Sequence, residues 1–310
     1  MASFSDRLAD AIRTLKNPVV VGLDPRMESL PQGMFEDAAN APPEVVAAAF
    51  QEFCCHVIDV VAPLVPAVKP QAAFFEQWGP AAMSALAEVI AYARNKGLLV
   101  ILDGKRNDIG STALGYARAY LGRPPASIWG ADALTVSPYL GDDSLSPFVD
   151  VARENDAGIF VLVKTSNPGS GLFQDHVADG RPVYEHVAEH VEQLASSTLG
   201  TCNYGLVGSV VGATYPEQLQ QLRSIMPHSW ILVPGFGAQG GSARDVDGAF
   251  DDEGLGAVVN SSRAIIFAHQ REEFRERFGP RRWQEAVEAA TREMIDQLSS
   301  DTRVGRLTSS

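Results

Sequence analysis

The stretch Leu98-Leu99-Val100-Ile101-Leu102-Asp103-Gly104-Lys105-Arg106-Asn107-Asp108-Ile109 passes from five consecutive aliphatic side chains directly into alternating charge. An apolar run without polar alternation suits a strand covered on both faces, as in a parallel sheet. The pattern repeats along the chain. Val19-Val20-Val21-Gly22-Leu23-Asp24 and Ala67-Val68-Lys69 precede it, and residues 133–137, 158–165, 204–211, 230–234 and 257–260 follow, eight runs in all. Helix starts lie between them, at Pro42-Pro43-Glu44, Gly79-Pro80 and Tyr215-Pro216-Glu217, where proline is favoured in a first helical turn. Eight strand–helix units without a long interruption predict an α/β fold, a single (β/α)8 TIM barrel over residues 1–298. A doubly wound sheet is the alternative.

Outside the eight units, residues 122–131 carry Pro124-Pro125 and read as a loop insertion, and residues 170–181 read as a mobile loop after the fifth strand. The last helix is expected over about 270–298. Eight Arg balance eight acids across 271–310, which suits a solvated helix face. Residues 299–310 are expected to be a flexible polar tail.

Charge and cysteine content narrow the function classes. The chain has 310 residues, 25 basic against 38 acidic, and a formal charge of −13. That balance argues against a nucleic-acid binder held by a basic face. The most apolar long stretch, residues 45–68, contains Glu52, His56 and Asp59, so no membrane span is expected. Asp6 and Asp10 near the N-terminus do not suit a secretory or transit signal. Three cysteines, two of them adjacent, make no disulfide framework, and a cytoplasmic location is the expectation. Only five residues are lysine, and Lys69, Lys105 and Lys164 stand near the ends of apolar runs.

In an α/β barrel the catalytic groups come from the C-terminal ends of strands. Those ends supply Asp24, Lys69, Asp103 with Lys105, Ser137, Thr165-Ser166, Ser209, residues 235–241, and Ser262-Arg263. Asp103 and Lys105 are two apart, so in a regular strand both face one side. With Lys69 and Asp108 they are expected to form one array of alternating charge. Charge gathered in a semi-buried place is a costly way to stabilise a fold and a good way to oppose a reacting group. The other reading is a surface ion-pair ladder, which fits poorly beside Val100-Ile101-Leu102.

Three stretches carry a specific resemblance. Residues 103–112 (DGKRNDIGST), 68–76 (VKPQAAFFE) and 164–170 (KTSNPGS) resemble, in that order, the signature of orotidine 5′-phosphate decarboxylases, and most of all the longer bacterial type 2. The D-x-K-x-x-D element alone is shared with other sugar-phosphate barrels; the ordered set, from Asp24 to about Arg263, is specific. The resemblance implies decarboxylation of orotidine 5′-phosphate to uridine 5′-phosphate in pyrimidine synthesis, without a metal or organic cofactor. It implies that Lys69, Asp103, Lys105 and Asp108 are the catalytic groups, with Lys105 delivering a proton to C6. Asp24 matches a ribose-binding residue and Ser166 a pyrimidine contact. The resemblance further implies a homodimer in which Asp108 and Thr112 reach the partner's site.

A second anchor is Val233-Pro234-Gly235-Phe236-Gly237-Ala238-Gln239-Gly240-Gly241. Small residues after an apolar strand let backbone N–H groups close on phosphate. Gly240 and Ser262 belong to that reading, Arg263 can fork onto phosphate oxygens, and the resemblance makes Gln239 a bridge between phosphate and pyrimidine. The stretch also fits G-x-G-x-x-G, but it follows the seventh strand rather than the first. The next strand ends in Ser261-Ser262-Arg263, where a dinucleotide site wants an acid.

Other features point elsewhere. His186-Val187-Ala188-Glu189-His190 fits a zinc-protease pattern, yet lies mid-helix and reads as helix surface. Cys54-Cys55 reads as core. A Schiff-base role for Lys69, Lys105 or Lys164, a magnesium-stabilised enediolate on a sugar phosphate, and a non-catalytic phosphometabolite-binding barrel are the competing functions.

Overall fold

A computed structural model describes residues 2–34, 41–214, 216–236 and 242–308. Eight parallel strands close into a barrel: β1 (Val19–Leu23), β2 (Ala67–Pro70), β3 (Leu99–Arg106), β4 (Ala133–Val136), β5 (Gly158–Lys164), β6 (Val207–Val211), β7 (Ile231–Val233) and β8 (Ala257–Ser261). Each pairs with its sequence neighbours, and Val19 opposite Val259 closes the ring. All eight aliphatic runs are strands, in the order the sequence predicts, and the doubly wound alternative falls.

The barrel is packed at both layers. The helix Phe4–Leu15 closes its N-terminal mouth, with the Phe4 ring edge-on to Phe160 at 6.1 Å. Phe160 in turn lies against Gly208, where a Cβ would stand 2.5 Å from the ring. Outside, helices such as Pro43–Val61 and Gly79–Asn95 bury aliphatic faces against each other and against the strands. Burial of apolar side chains on this scale is the main stabilising contribution. Among the described residues no helix is long and apolar enough to cross a membrane.

Three expectations are corrected. The segment after β5 is not an open loop. It folds into a 3-10 turn (Pro168–Ser170), a helical turn (Gly171–Gln174) and a small hairpin pairing Val177–Ala178 with Arg181–Pro182. Gln174 holds Thr165 through both its amide oxygen and nitrogen, and Arg181 and His186 tie the hairpin to the following helix.

The final helix is two, Glu272–Phe278 and Trp283–Asp301. Gly279 breaks them at φ 68°, and Pro280 follows, a pairing that stops a helix because glycine takes a positive φ that other residues rarely adopt and proline lacks the donor.

The tail expected to fray forms a 3-10 helix, Arg303–Thr308, with Val304 and Leu307 buried and Arg303 bonded to Asp247 and the Phe250 carbonyl. Its two apolar side chains cover the base of the barrel, which is why it is ordered.

Candidate active site

The charged residues that end β2 and β3 meet at the C-terminal mouth. Lys69 Nζ donates to Asp103 Oδ2 and Lys105 Nζ to Asp103 Oδ1, each at 2.6 Å. Lys69 and Asp103 are only 4% and 7% exposed, while Lys105 keeps half its side chain in solvent. Thr135 of β4 completes the group: its hydroxyl donates to Asp103 Oδ1 at 2.9 Å and accepts the Lys105 backbone N–H at 2.9 Å.

These residues do not converge through plain strand alternation. Leu102 pairs with Leu134 and Arg106 with Val136, so β3 spends four residues where β4 spends two. Lys105 sits in this bulge at φ 45°, a left-handed conformation that costs a non-glycine residue about 1 kcal/mol or more. The bulge aims the Lys105 ammonium back at Asp103. Bulges are known for re-aiming side chains at sites.

Electrostatics hold Asp103 and Lys69 in their charged forms. Burial alone pushes Asp103 up, but the ammonium groups of Lys69 and Lys105 outweigh it and hold its carboxyl well below the usual carboxylate range. Burial alone pushes Lys69 down, yet Asp103 and then Asp24 more than offset it, and the net shift is upward.

A depressed folded-state value means that Asp103 contributes stability above the unfolded carboxylate value of about 3.9, and that this is lost as pH falls toward the folded one. The melting temperature of Asp103→Asn is therefore expected to fall less steeply than wild type below about pH 4. Equal acid slopes in a thermal-melt series would contradict this account.

The other expected site residues fall into separate places. Asp24 follows β1 close enough to act on Lys69, and its Oδ1 is buried with no hydrogen-bond partner among the described residues. Ser262 lies over β1: a Cβ on Gly22 would stand 2.7 Å from its own Cβ, so glycine is needed for this approach. Arg263 is exposed on a cavity of about 740 Å³ shared with Arg26, Ser29, Phe236, Arg271 and Met294. That cavity is lined by the end of β8 and the helices that follow it, not by the triad. Ser166 is half-buried in the turn after β5, where Gly212, just past β6, packs closely against it. Gln239 and Gly240 lie outside the described residues.

Asp108 does not join the array in its own chain, contrary to the expected four-residue cluster. Its carboxylate accepts the Ile109 N–H at 2.8 Å, ahead of the helix Gly110–Leu121. Thr112 is exposed in the first turn of that helix.

Ser209 is not a rim residue either. It is fully buried within β6, with its hydroxyl on the Trp230 carbonyl. Lys164 is buried and pairs with Asp175 of the following excursion, beneath the Tyr184 ring at 5.4 Å. A second register shift, Leu162 with Val210 but Lys164 with Val211, turns it away from the face that Leu162 shares. The histidine motif also disperses. His186 meets the Ala178 carbonyl, Glu189 pairs with Arg181, and His190 with Asp142.

Two contributors were not singled out from sequence. Thr135 reads there as an ordinary β-former within an apolar run. Arg106 joins the two motif loops: it pairs with Glu76, donates to the Gly104 carbonyl at 2.7 Å and reaches Tyr120 Oη at 3.1 Å. Its position inside the D-x-K-x-x-D stretch, 30 residues beyond Glu76 of the other motif, was the available signal.

A closed (β/α)8 barrel with paired carboxylate and ammonium groups at the C-terminal strand ends defines a barrel of the enzyme type, since that rim is where such folds carry their chemistry. Residues 17–278 match the orotidine 5′-phosphate decarboxylase / HUMPS family. The chain is 59% identical over 300 residues to an orotidine 5′-phosphate decarboxylase of Rhodopirellula baltica, covering 96% of this chain and 99% of that one. It is 41% identical over 278 residues to the protein of that name from Caldicellulosiruptor bescii, covering 87% and 91%. Among solved structures, OMP decarboxylase of Leishmania donovani superposes with a TM-score of 0.74 at 33% identity, covering 96% of this chain and 98% of that one. The chain belongs to the orotidine 5′-phosphate decarboxylase family.

Proposed function

We propose that this protein decarboxylates orotidine 5′-phosphate to uridine 5′-phosphate and carbon dioxide, with Lys105 as the proton donor to C6. The observation that carries the reading is Asp103 held between two ammonium groups at the barrel mouth, one of them half in solvent. Loss of carbon dioxide leaves an electron pair in an sp² orbital at C6, which the ring does not delocalise as it would an enolate. A fixed ammonium opposes that charge and then quenches it with a proton. Lys105 is the group with access; Lys69 is buried and holds Asp103. Asp24 and Ser166 take the ribose and pyrimidine, and Ser262, Arg263 and the 237–241 stretch with Gln239 and Gly240 take the phosphate.

The site is read as shared between two copies of the chain, with Asp108 and Thr112 acting on the partner's triad. Among the described residues the Asp108 carboxylate is bonded to the Ile109 N–H and forms no ion pair with a lysine, and the exposed Ile109 beside it matches the rim-exposed Tyr139, Leu172 and Phe173 after the next two strands. Apolar side chains gathered on one rim suit burial against a second copy.

Loss of the ultraviolet absorbance of orotidine 5′-phosphate on adding the purified protein tests the activity; an unchanged spectrum would overturn it. Both Asp103 oxygens are taken by ammonium groups, which disfavours a divalent cation there. Turnover is accordingly expected to be unchanged after exhaustive treatment with a chelator. Loss of activity restored by magnesium would favour the enediolate reading.

A further inference from the structure

We infer that Thr135 is the positioning residue that sets the Asp103–Lys105 pair, an inference that rests on the proposed decarboxylation. Opposite the bulge, the ladder between β3 and β4 shifts register, and there the Lys105 N–H donates to a side chain. The Thr135 hydroxyl takes that N–H as acceptor and passes its own hydrogen to Asp103 Oδ1, the same oxygen that receives the Lys105 ammonium. One side chain, 1% exposed, therefore fixes both the backbone of the proton donor and the carboxylate that aims it.

The geometry is selective for a hydroxyl. A buried N–H without a partner costs about 1–3 kcal/mol, and an isosteric methyl supplies neither acceptor nor donor. Without the hydroxyl the left-handed backbone at Lys105 loses the bond that holds it, and Asp103 Oδ1 loses its one neutral donor. Lys69 remains on Oδ2, so Asp103 stays in place while the Lys105 ammonium is released from its direction. The effect falls on a step that needs alignment rather than on substrate affinity, because Thr135 lies beneath the pair and faces no open part of the mouth.

Thr135→Val, Thr135→Ala and Thr135→Ser, each compared with wild type, test the assignment. Val and Ala are expected to lower kcat about tenfold or more with KM changed less than about threefold, and Ser to retain kcat within about threefold. A structural role alone would move melting temperature and yield but not the kcat of the folded fraction, nor split kcat from KM.

A second readout does not depend on the reaction. Acetylation of Lys105, followed by mass spectrometry against the exposed Lys16 as internal standard, is expected to speed up in Val and Ala and not in Ser. If wild type fails to turn over the substrate, the proposed reaction falls and the labelling still reads Thr135. If the labelling ratios and kcat of all three variants match wild type, or Ser falls with Val and Ala, the role of Thr135 is overturned.

Discussion

Lys105→Ala is expected to lower kcat by at least about a thousandfold while the protein stays folded. General-acid catalysis contributes about 10²–10⁴ to a rate, and in the proposed reaction this ammonium would also oppose the charge that develops at C6, so both losses would fall on one substitution. Folding is spared for reasons visible at the site. Half of the Lys105 side chain is in solvent, and Asp103 keeps Lys69 on one oxygen and the Thr135 hydroxyl on the other. Removing the buried Lys69 instead would strand part of a buried carboxylate, which costs far more stability. The check is steady-state kinetics beside a thermal melt. Near-normal turnover by a folded Lys105→Ala would remove the proton-donor assignment.

Mixed chains supply the second large effect. Asp108→Asn and Lys105→Ala are each expected to be nearly inactive alone, and an equal mixture refolded together to regain about a quarter of wild-type activity. The figure follows from symmetry: in a two-fold dimer about half of the molecules are mixed, and each mixed molecule restores one of its two sites. Asparagine retains a carbonyl oxygen that can still accept the Ile109 N–H, so the helix start is preserved and the charge alone is lost. Demonstrated mixed dimers without recovered activity would place Asp108 outside the partner's site.

Much of this was legible in the chain. Strand positions could be read because both faces of a parallel barrel strand are covered, leaving unbroken aliphatic runs such as residues 98–102. Lys69, Asp103 and Lys105 were legible because charges at the ends of such runs have no ordinary structural reason to be there.

What sequence spacing does not encode is direction around an irregularity. Thr135 and Ser209 are both hydroxyls inside apolar strands, yet one supports the site and the other bonds a neighbouring carbonyl. Their roles differ only in which face each strand turns to the mouth. Thr135 pairs with Phe160 and Ser209 with Val161, adjacent residues of β5 that face opposite sides, and this register between strands is not written in either strand's own sequence. Asp108 shows the same limit: its distance along the chain from Lys105 was clear, but not that its carboxylate accepts the Ile109 N–H ahead of the next helix. The Gly279-Pro280 break has a clear local signal, which the charge pattern running across it masks.

The bulge in β3 also divides the strand into two territories. Below Leu102 the ladder is regular and every side chain is sealed in the core; above it, the departure from register is confined to the stretch that carries Asp103, Lys105 and Arg106. Tolerance to change should divide at the same line. Trimming or lengthening the chain within residues 103–106 would re-register only the rim, turning Lys105 to another face while the barrel beneath remained closed. In a barrel of this design the reactive geometry is a local defect in an otherwise regular wall, and it can be altered without rebuilding the wall.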